Sequence, residues 1–284
     1  MAKVLITGTS KGIGYEATLL LARAGHEVVA TMRNPGASDL EKVVSEAKLP
    51  VTVLQMDVDD DASVVEVFRM MGDSIDVLVN NAGIYSINAV EDESVEQFRR
   101  VMETNYFGAV RCVKQVLPAM RKRGAGRIIN VSSIAGRIAF SSTSAYNASK
   151  FALEAFSECL AQEVKSWGIK VALVEPGIID SAMATTNLPQ YDENTLYLHG
   201  RRIHGFFKNP ARPEVSPALV AETIRYLVEA DDPRLRFPVG PDALPFIGWR
   251  AAVSDEDWVG LGGLQPDDYW QRVFVDTGMD LRSA

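Results

Sequence analysis

Residues 7–14 read Thr7-Gly8-Thr9-Ser10-Lys11-Gly12-Ile13-Gly14. This stretch joins an apolar run, Val4-Leu5-Ile6, to a segment with helical periodicity over residues 13–24. Glycines let a backbone turn sharply and approach a diphosphate, whose negative charge is stabilised at a helix N-terminus. A glycine cluster alone is equally compatible with a plain turn. Its position between the first predicted strand and the first predicted helix favours a nucleotide-binding site.

Beyond this turn, apolar runs and helical segments alternate along the chain. Strands are predicted at 4–6, 28–30, 51–56, 75–79, 127–131, 170–174 and 236–239. Helices are predicted at 13–24, 39–47, 61–71, 95–120, 144–167 and 217–229. Strands this apolar are typical of a parallel sheet covered on both faces, and repeated βα units form a doubly wound, Rossmann-type α/β fold.

The chain is predicted to be a single domain over residues 1–284. Its core extends over about 3–240, with a tail at 241–284 packed on it. The tail is rich in Gly, Pro, Asp and Trp and is predicted to be irregular. Residues 178–214, after the sixth strand, have no strong period and are predicted to form a substrate loop.

Composition limits the classes of partner. A net charge of −8 argues against non-specific nucleic-acid binding, so a phosphate-bearing partner must be held by a local site. The N-terminus has no signal-peptide layout, and no apolar run approaches a membrane span, so we expect a cytoplasmic protein. Cys112 and Cys159 have no metal-type spacing, no metal is predicted, and both are expected to be buried, reduced thiols.

Tyr146 is the one tyrosine of eight with a lysine, Lys150, four residues downstream. Four residues are about one helical turn, so the two side chains share a helix face. Lowering a tyrosine pKa by about three units requires about 4 kcal/mol, which a cation about 4 Å away can supply. The pair is thus a candidate acid/base, although a solvated helix pair has the same spacing.

The order of motifs resembles the short-chain dehydrogenase/reductase family in its shorter form. The glycine turn is followed by Asp57-Val58, Asn80-Asn81-Ala82-Gly83, Asn105, Ser133, Tyr146 with Lys150, and Pro176-Gly177, each on the matching element. The resemblance covers residues 3 to about 240 and implies an oxidoreductase that transfers a hydride between a nicotinamide cofactor and an alcohol or carbonyl carbon.

The resemblance also implies the site residues. Tyr146 would be the general acid/base, Ser133 would bind the substrate oxygen, and Lys150 would lower the tyrosine pKa and bind the nicotinamide ribose. Asn105 would hold a water that links the lysine to solvent, and Ser132 is expected to cap or turn the chain. The implied cofactor-binding residues are Gly8, Thr9, Ser10, Lys11, Gly12, Ile13, Gly14, Arg33, Asp57, Val58, Asn81, Ala82, Gly83, Tyr146, Lys150, Pro176, Gly177, Ile179 and Ser181.

Several of these assignments have an alternative or depart from the family pattern. Asn81 and Gly83 could instead support the sheet, and Asn105 could be a polar residue that bends a helix. Asp57 would accept from the adenine amino group, but an aspartate there could also be an ordinary helix cap. Ser181 stands where the family usually has threonine, and it keeps the hydroxyl.

Charge at the end of the second strand favours NADP(H) over NAD(H). Family members that use NAD place an aspartate there, whereas this chain has Met32 followed by Arg33, with Lys11 in the first turn. Two cations and no acid suit a 2′-phosphate. The alternative is a pair of solvated surface cations.

The resemblance implies a substrate that is a small carbonyl compound or alcohol. An apolar substrate is suggested by the side chains of Met183, Leu188, Tyr191, Tyr197, Phe206 and Phe207. These side chains fit a lid over an apolar pocket and, equally, a satellite core. His199 and His204 are expected on the surface or lid, and the tail tryptophans in packing.

Steroid-, retinoid- and aromatic-ketone-like substrates fit an apolar pocket. A redox-silent NADP-binding regulator and a dehydratase or epimerase are the alternatives in function. Members of the family usually form homodimers or homotetramers, and they often associate through the helices that correspond to 95–120 and 144–167.

Overall fold

The computed structural model describes residues 1–180, 196–208 and 214–281, with side chains described as far as residue 203 in the second range. Its strands are β1 (Lys3–Thr7), β2 (Glu27–Met32), β3 (Val51–Gln55), β4 (Val77–Asn80), β5 (Gly126–Val131), β6 (Ile169–Pro176) and β7 (Arg236–Val239). The helices before β6 are α1 (Gly12–Arg23), α2 (Leu40–Glu46), α3 (Asp61–Met71), α4 (Val95–Met102), α5 (Gly108–Arg123) and α6 (Ser144–Val164). The later helices are α7 (Leu198–Lys208), α8 (Pro217–Glu229), α9 (Ala243–Ala252), α10 (Asp255–Gly260) and α11 (Pro266–Thr277).

The strands form one parallel sheet in the order β3-β2-β1-β4-β5-β6-β7. Leu5 in β1 is paired with Val29 on one side and Leu78 on the other. The order reverses between β1 and β4, and ligands of such sheets bind beyond the carboxyl ends of the strands at this point. The predicted Rossmann-type doubly wound parallel sheet is confirmed.

Both faces of the sheet are buried, which explains the continuous apolar strands. Val4 and Ile6 pack on one face with α1 and α8, whereas Leu5 packs on the other face with α3, α5 and α6. This is the two-residue alternation of a strand whose two sides each meet a helical layer.

The long helix predicted over 95–120 contains an irregularity. Between α4 and α5, residues Glu103–Phe107 form a π-helical turn, and the helical path continues to Arg123. A π-turn inserts an extra residue into the helix and often marks a functional site. Asn105 lies in this turn.

The prediction of an irregular tail is wrong, because three helices occupy most of residues 243–277. Their buried side chains pack against the segment after β5: Phe246, Trp249 and Tyr269 share one apolar cluster with Ile134 and Ile138. Tertiary packing, rather than long periodic segments, stabilises helices this short. A further helix, α7, lies in the stretch that was expected to have no regular structure.

Two smaller observations bear on the expectations above. Both cysteines are free; Cys112 is buried as expected, whereas Cys159 is exposed. Within the described ranges, no helix is both long and apolar enough to cross a lipid bilayer.

Candidate active site

A cavity of about 960 Å³ opens beyond the carboxyl ends of the strands. One part of its wall is the glycine turn after β1, and another holds Ser133, Tyr146 and Lys150. A further part of the wall comes from α7 and the C-terminal helices, through His199, Arg202, Ile203, Phe246, Tyr269 and Trp270. The topological switch point and the predicted acid/base residues therefore face one space.

The glycine turn has the backbone that a close-approaching ligand needs. Gly8 and Gly12 have φ of +71° and +65°, a region that side chains disfavour. A Cβ at Gly8 would lie 2.7 Å from the Cα of Ala82. The turn is held to β4 by Thr7 and Asn81: the Thr7 Oγ1 accepts from Asn81 N at 3.0 Å, and Asn81 Nδ2 donates to the Gly8 carbonyl at 3.0 Å.

Most of the predicted cofactor-binding residues line this cavity. Those in its wall are Gly8, Ser10, Lys11, Gly12, Ile13, Arg33, Asp57, Val58, Asn81, Ala82, Gly83, Tyr146, Lys150, Pro176, Gly177 and Ile179. Thr9 and Gly14 support the turn from behind: Thr9 is buried and bonds the Thr31 carbonyl, and a Cβ at Gly14 would overlap Asn81 and Gly8. Ser181 lies outside the described residues.

The two cations predicted at the adenosine end are both exposed and both line the cavity. Met32, by contrast, is buried in an apolar cluster with Leu40 and Val44 at the end of β2. Because Arg33 and Lys11 face the same cavity, they can both reach a phosphate bound there.

Asp57 is not a helix cap. That role in α3 belongs to Asp60, whose side chain accepts from Ala62 N. The Asp57 backbone N–H donates to Ser63 Oγ at 2.9 Å, and its Oδ1 accepts from Asp59 N at 3.1 Å. These bonds fix the Asp57 carboxylate in the cavity wall.

Tyr146 and Lys150 share one face of α6, as their spacing predicts, and they are not a solvated pair. Lys150 is 4% exposed, and its Nζ lies 5.6 Å from the centroid of the Tyr146 ring. The ammonium donates to the Val131 carbonyl at 2.8 Å. The predicted pair is therefore present, with the cation directed at a strand end.

The expected lowering of the tyrosine pKa is wrong for this arrangement. Burial raises the pKa of Tyr146 to about 12, against the opposing effect of a hydrogen bond with Ser133. Burial also lowers the pKa of Lys150 to about 8, and the nearby Glu154 carboxylate opposes that shift. Loss of hydration disfavours both charged forms, and it is the largest cause of each shift.

The expectation that Ser132 caps the chain is wrong. Ser133, not Ser132, caps the short turn that follows: its Oγ accepts from Ala135 N at 3.1 Å and donates to the Pro176 carbonyl at 3.3 Å. Ser132 Oγ is buried and has no hydrogen-bond partner among the described residues. Both serines line the cavity, and Ser133 is the one bonded to Tyr146.

Asn105 lies behind the cavity wall and ties three segments together. Its Oδ1 accepts from Ile84 N at 2.7 Å, and its Nδ2 donates to the Ile84 carbonyl and to Ser149 Oγ, both at 2.9 Å. Ser149 in turn donates to the Tyr146 carbonyl at 2.7 Å. The π-turn therefore couples the segment after β4 to the first turn of α6.

Sequence reasoning missed several wall residues. Tyr85 packs edge-on against Tyr146 with ring centroids 4.6 Å apart, and its position two residues after the Asn80–Gly83 motif was the available signal. His199 was expected on the surface or in a lid, and Trp270 was expected in packing. Both line the cavity. Arg202 also lines the cavity, and it carried no sequence signal because only the packing of the C-terminal helices holds it there.

Comparisons with known proteins agree with this architecture. A family model described as short chain dehydrogenase matches residues 2–192. Oxidoreductase BOA17 of Botryotinia fuckeliana is 35% identical over 268 residues, which cover 91% of this chain and 97% of that protein. Retinol dehydrogenase 8 of Bos taurus is 38% identical over 268 residues, covering 87% of this chain and 84% of that protein.

A solved structure of actinorhodin polyketide ketoreductase with NADPH has a TM-score of 0.74 and 30% identity, covering 85% of this chain and 97% of that one. The sheet order and helical layers define a Rossmann-like α/β oxidoreductase fold. The chain belongs to the short-chain dehydrogenase family. It is therefore an enzyme of the oxidoreductase class that acts on alcohol and carbonyl groups.

Proposed function

We propose that this protein is an NADP(H)-dependent oxidoreductase that interconverts a ketone or aldehyde and an alcohol, with Tyr146 as the general acid/base. The observation that carries the proposal is the shared cavity: Tyr146, Ser133 and Lys150 line the same space as the glycine turn and Arg33. The cofactor, when bound, supplies or accepts the hydride.

The protonation of Tyr146 supports its role as an acid. A phenol whose pKa burial raises to about 12 stays protonated at neutral pH and can give its proton to a carbonyl oxygen that gains negative charge. The Ser133 hydroxyl lies beside it and becomes a second donor for the same oxygen when its single hydrogen turns away from the Pro176 carbonyl. Lys150 is placed one helical turn along α6, where its ammonium would contact the nicotinamide ribose and favour transient phenolate.

Asn105 acts from behind as a positioning residue and, by family resemblance, as part of a proton path to solvent. Its hydrogen bonds to Ile84 and Ser149 hold both edges of the site. Its position in a π-turn supports this role, because the turn departs from regular helical hydrogen bonding.

The preference for NADP(H) rests on charge. Arg33 and Lys11 line the cavity beyond the end of β2, and buried Met32 occupies the position where an NAD-binding aspartate would stand. Guanidinium and ammonium groups form strong, charge-assisted hydrogen bonds to phosphate. The fit of a diphosphate is supported by the glycine turn, which lies in the cavity wall at the N-terminus of α1 and packs closely on Ala82 at Gly8.

The substrate is proposed to have an apolar body. Phe140, Ile178, Ile203, Phe246 and Trp270 contribute apolar surface to the wall around the reacting end. Retinoid-, steroid- and aromatic-ketone-like compounds fit such a wall, and one relative is named for retinol.

The test is to follow NADPH absorbance with a panel of ketones and aldehydes, for the wild-type protein and Tyr146→Phe. We expect Tyr146→Phe to lose about 10²–10⁴-fold in kcat on the best substrate. Tyr226→Phe, which alters an exposed phenol bonded to Asp232, is the matched control. Near-full turnover by Tyr146→Phe would contradict the mechanism.

We further propose one domain over residues 1–284, since the apolar cluster of the C-terminal helices includes Ile134 and Ile138 from the core.

We also propose that the protein forms a homodimer or homotetramer through α4–α6, where Phe107 and Phe151 are exposed. Light scattering coupled to gel filtration measures the subunit number, and a monomer at micromolar concentration would contradict this part.

A further inference from the structure

A buried cation lies in the part of the cavity wall that α7 contributes. Arg202 is 1% exposed, which is unusual because arginine is almost never fully buried unless it is paired. The surrounding wall is formed by His199, Ile203, Tyr269 and Trp270. The function proposed above uses Ile203 and Trp270 only as apolar surface and gives Arg202, His199 and Tyr269 no role.

The contacts of Arg202 are all to neutral groups. Its Nη1 donates to His199 Nδ1 at 2.8 Å and to the Leu261 carbonyl at 3.0 Å, and its Nη2 donates to the Gly262 carbonyl at 3.2 Å. The guanidinium also stacks on the Tyr269 ring, with the Cζ 4.5 Å from the centroid. No carboxylate forms an ion pair with it among the described residues.

Three of its five N–H groups are thus satisfied. The two that remain are the Nε–H and one N–H of Nη2. The Nε–H is buried and has no acceptor among the described residues. Nε and Nη2 form the side edge of the guanidinium, the fork that the two oxygens of a carboxylate accept in parallel. A buried donor without an acceptor is costly, and an uncompensated buried charge more so.

The neighbours of Arg202 also present donors rather than acceptors. His199 Nδ1 accepts from the guanidinium, so the neutral imidazole carries its proton on Nε2. Burial and the adjacent Arg202 charge lower the pKa of His199 to about 4, which keeps the ring neutral at physiological pH. Burial raises the pKa of Tyr269 to about 12, so its hydroxyl remains a donor as well.

We infer that this part of the cavity binds a carboxylate of the substrate, remote from the carbon that is oxidised or reduced. The substrate class is an apolar oxo acid or the corresponding hydroxy acid. The inference rests on the proposed carbonyl chemistry for the reacting end, whereas the carboxylate site itself depends on Arg202, His199 and Tyr269 alone. An amphiphilic ligand also suits the mixture of aromatic wall and single buried cation.

Binding can be measured without turnover. Isothermal titration compares decanoate with decanamide, which has the same chain and no charge, on the wild-type protein. We expect decanoate to bind at least about tenfold more tightly than decanamide, because a hydrogen bond between charged groups contributes at least this much to affinity. Equal affinity for the two ligands on the wild-type protein would overturn the inference, whatever the enzyme proves to reduce.

Two variants identify the residue responsible. Arg202→Met keeps the length of the side chain and removes the charge, so it should lose the difference between decanoate and decanamide. Arg201→Met alters the adjacent, exposed arginine outside the cavity wall and should retain the difference. If Arg202→Met unfolds, the wild-type comparison still decides, and Tyr269→Phe provides a milder change in the same cluster.

Kinetics then connect the site to the reaction. Levulinate, its longer straight-chain oxo-acid homologues and benzoylpropionate are each compared with their methyl esters in the presence of NADPH. We expect a higher kcat/KM for the acid than for its ester at one or more chain lengths. Arg202→Met should lower the kcat/KM for the acid, mainly by raising its KM. Reduction of the esters with no preference for any acid would reject the carboxylate site and leave the proposed carbonyl chemistry intact.

Discussion

The Asp242 carboxylate accepts a hydrogen bond from the backbone N–H of Ile178 at 2.8 Å. This contact ties the residue before α9 to the segment that follows β6. Gly177, the residue before Ile178, lies so close to the same carboxylate that a Cβ would overlap both of its oxygens. The Gly177 N–H also donates to the Val239 carbonyl at 2.8 Å, so the segment is fixed from two sides.

Gly177→Ala should destabilise the fold by about 2–4 kcal/mol and raise the KM for the cofactor, because overpacking forces the Asp242 carboxylate to move. Gly248→Ala is the matched control: it lies in α9 with no atom near its Cβ position, and alanine should stabilise the helix by up to about 1 kcal/mol. Urea denaturation measures both. Equal effects of the two substitutions would refute the close approach at Gly177.

Ser133→Ala and Ser132→Ala should behave very differently despite their adjacency. Loss of the Ser133 hydroxyl removes the proposed donor to the substrate oxygen and the cap on Ala135, so kcat should fall by about 10²-fold or more. Ser132 Oγ has no partner among the described residues, so its removal should change kcat less than about threefold and leave stability unchanged or slightly higher. Steady-state kinetics and thermal melts distinguish the pair, and a greater kinetic loss in Ser132→Ala would reverse the assignment.

Arg33→Ala should raise the KM for NADPH by about 10–100-fold, the contribution of charge-assisted hydrogen bonds to a phosphate, with little effect on NADH. Arg23→Ala, in the last turn of α1 and outside the cavity wall, should leave both constants unchanged. The readout is the ratio of kcat/KM for the two cofactors. A wild-type preference for NADH would contradict the cofactor assignment before any variant is made.

A pH dependence of stability follows from Glu175, which is 0% exposed. Burial and the neighbouring Glu154 carboxylate raise the pKa of Glu175 to about 7, although Arg137 and Arg236 oppose the shift. Between about pH 4.3 and 7 the folded protein keeps a proton that the unfolded chain releases, so the free energy of unfolding falls as pH rises. The stabilisation is complete below the unfolded pKa and is lost as pH rises through the folded one.

Glu175→Gln should therefore flatten this dependence, reducing the stability difference between about pH 4.5 and 8 by about 1–3 kcal/mol. Glu158→Gln, an exposed partner of the same Arg236, should leave it nearly unchanged. Urea titrations across this range give the comparison. An unaltered slope in Glu175→Gln would show that the carboxyl is ionised throughout.

The features that sequence predicts well are those with local signals. The helix at Asp61–Met71 begins after the capping Asp60, and the one at Pro217–Glu229 begins after Ser216, whose side chain accepts from Ala218 N. The spacing of Tyr146 and Lys150 likewise depends only on one helical turn. Residues with such signals were placed on the right elements.

Features that depend on tertiary contact were not predictable. The helices of the C-terminal region are 6–12 residues long, contain Gly248 and Gly260, and are held by Trp249 and Tyr269 in a shared cluster. Arg202 reaches the cavity only because those helices supply the carbonyls it bonds. The pKa of Tyr146 depends on tertiary contact in the same way, because loss of hydration is set by the completed wall and not by the spacing to Lys150 along the helix.

Segments far apart in the sequence therefore meet at one cavity, and this has a consequence for biosynthesis. The glycine turn, Tyr146 and Lys150 precede β6, whereas Phe246, Tyr269 and Trp270 follow β7 and are translated later. The nucleotide half is therefore synthesised before the aromatic part of the wall. A nonsense mutation after β7 would leave that half encoded but remove the aromatic wall, so such a truncated product could retain the elements for holding a dinucleotide while losing those that select what it reduces.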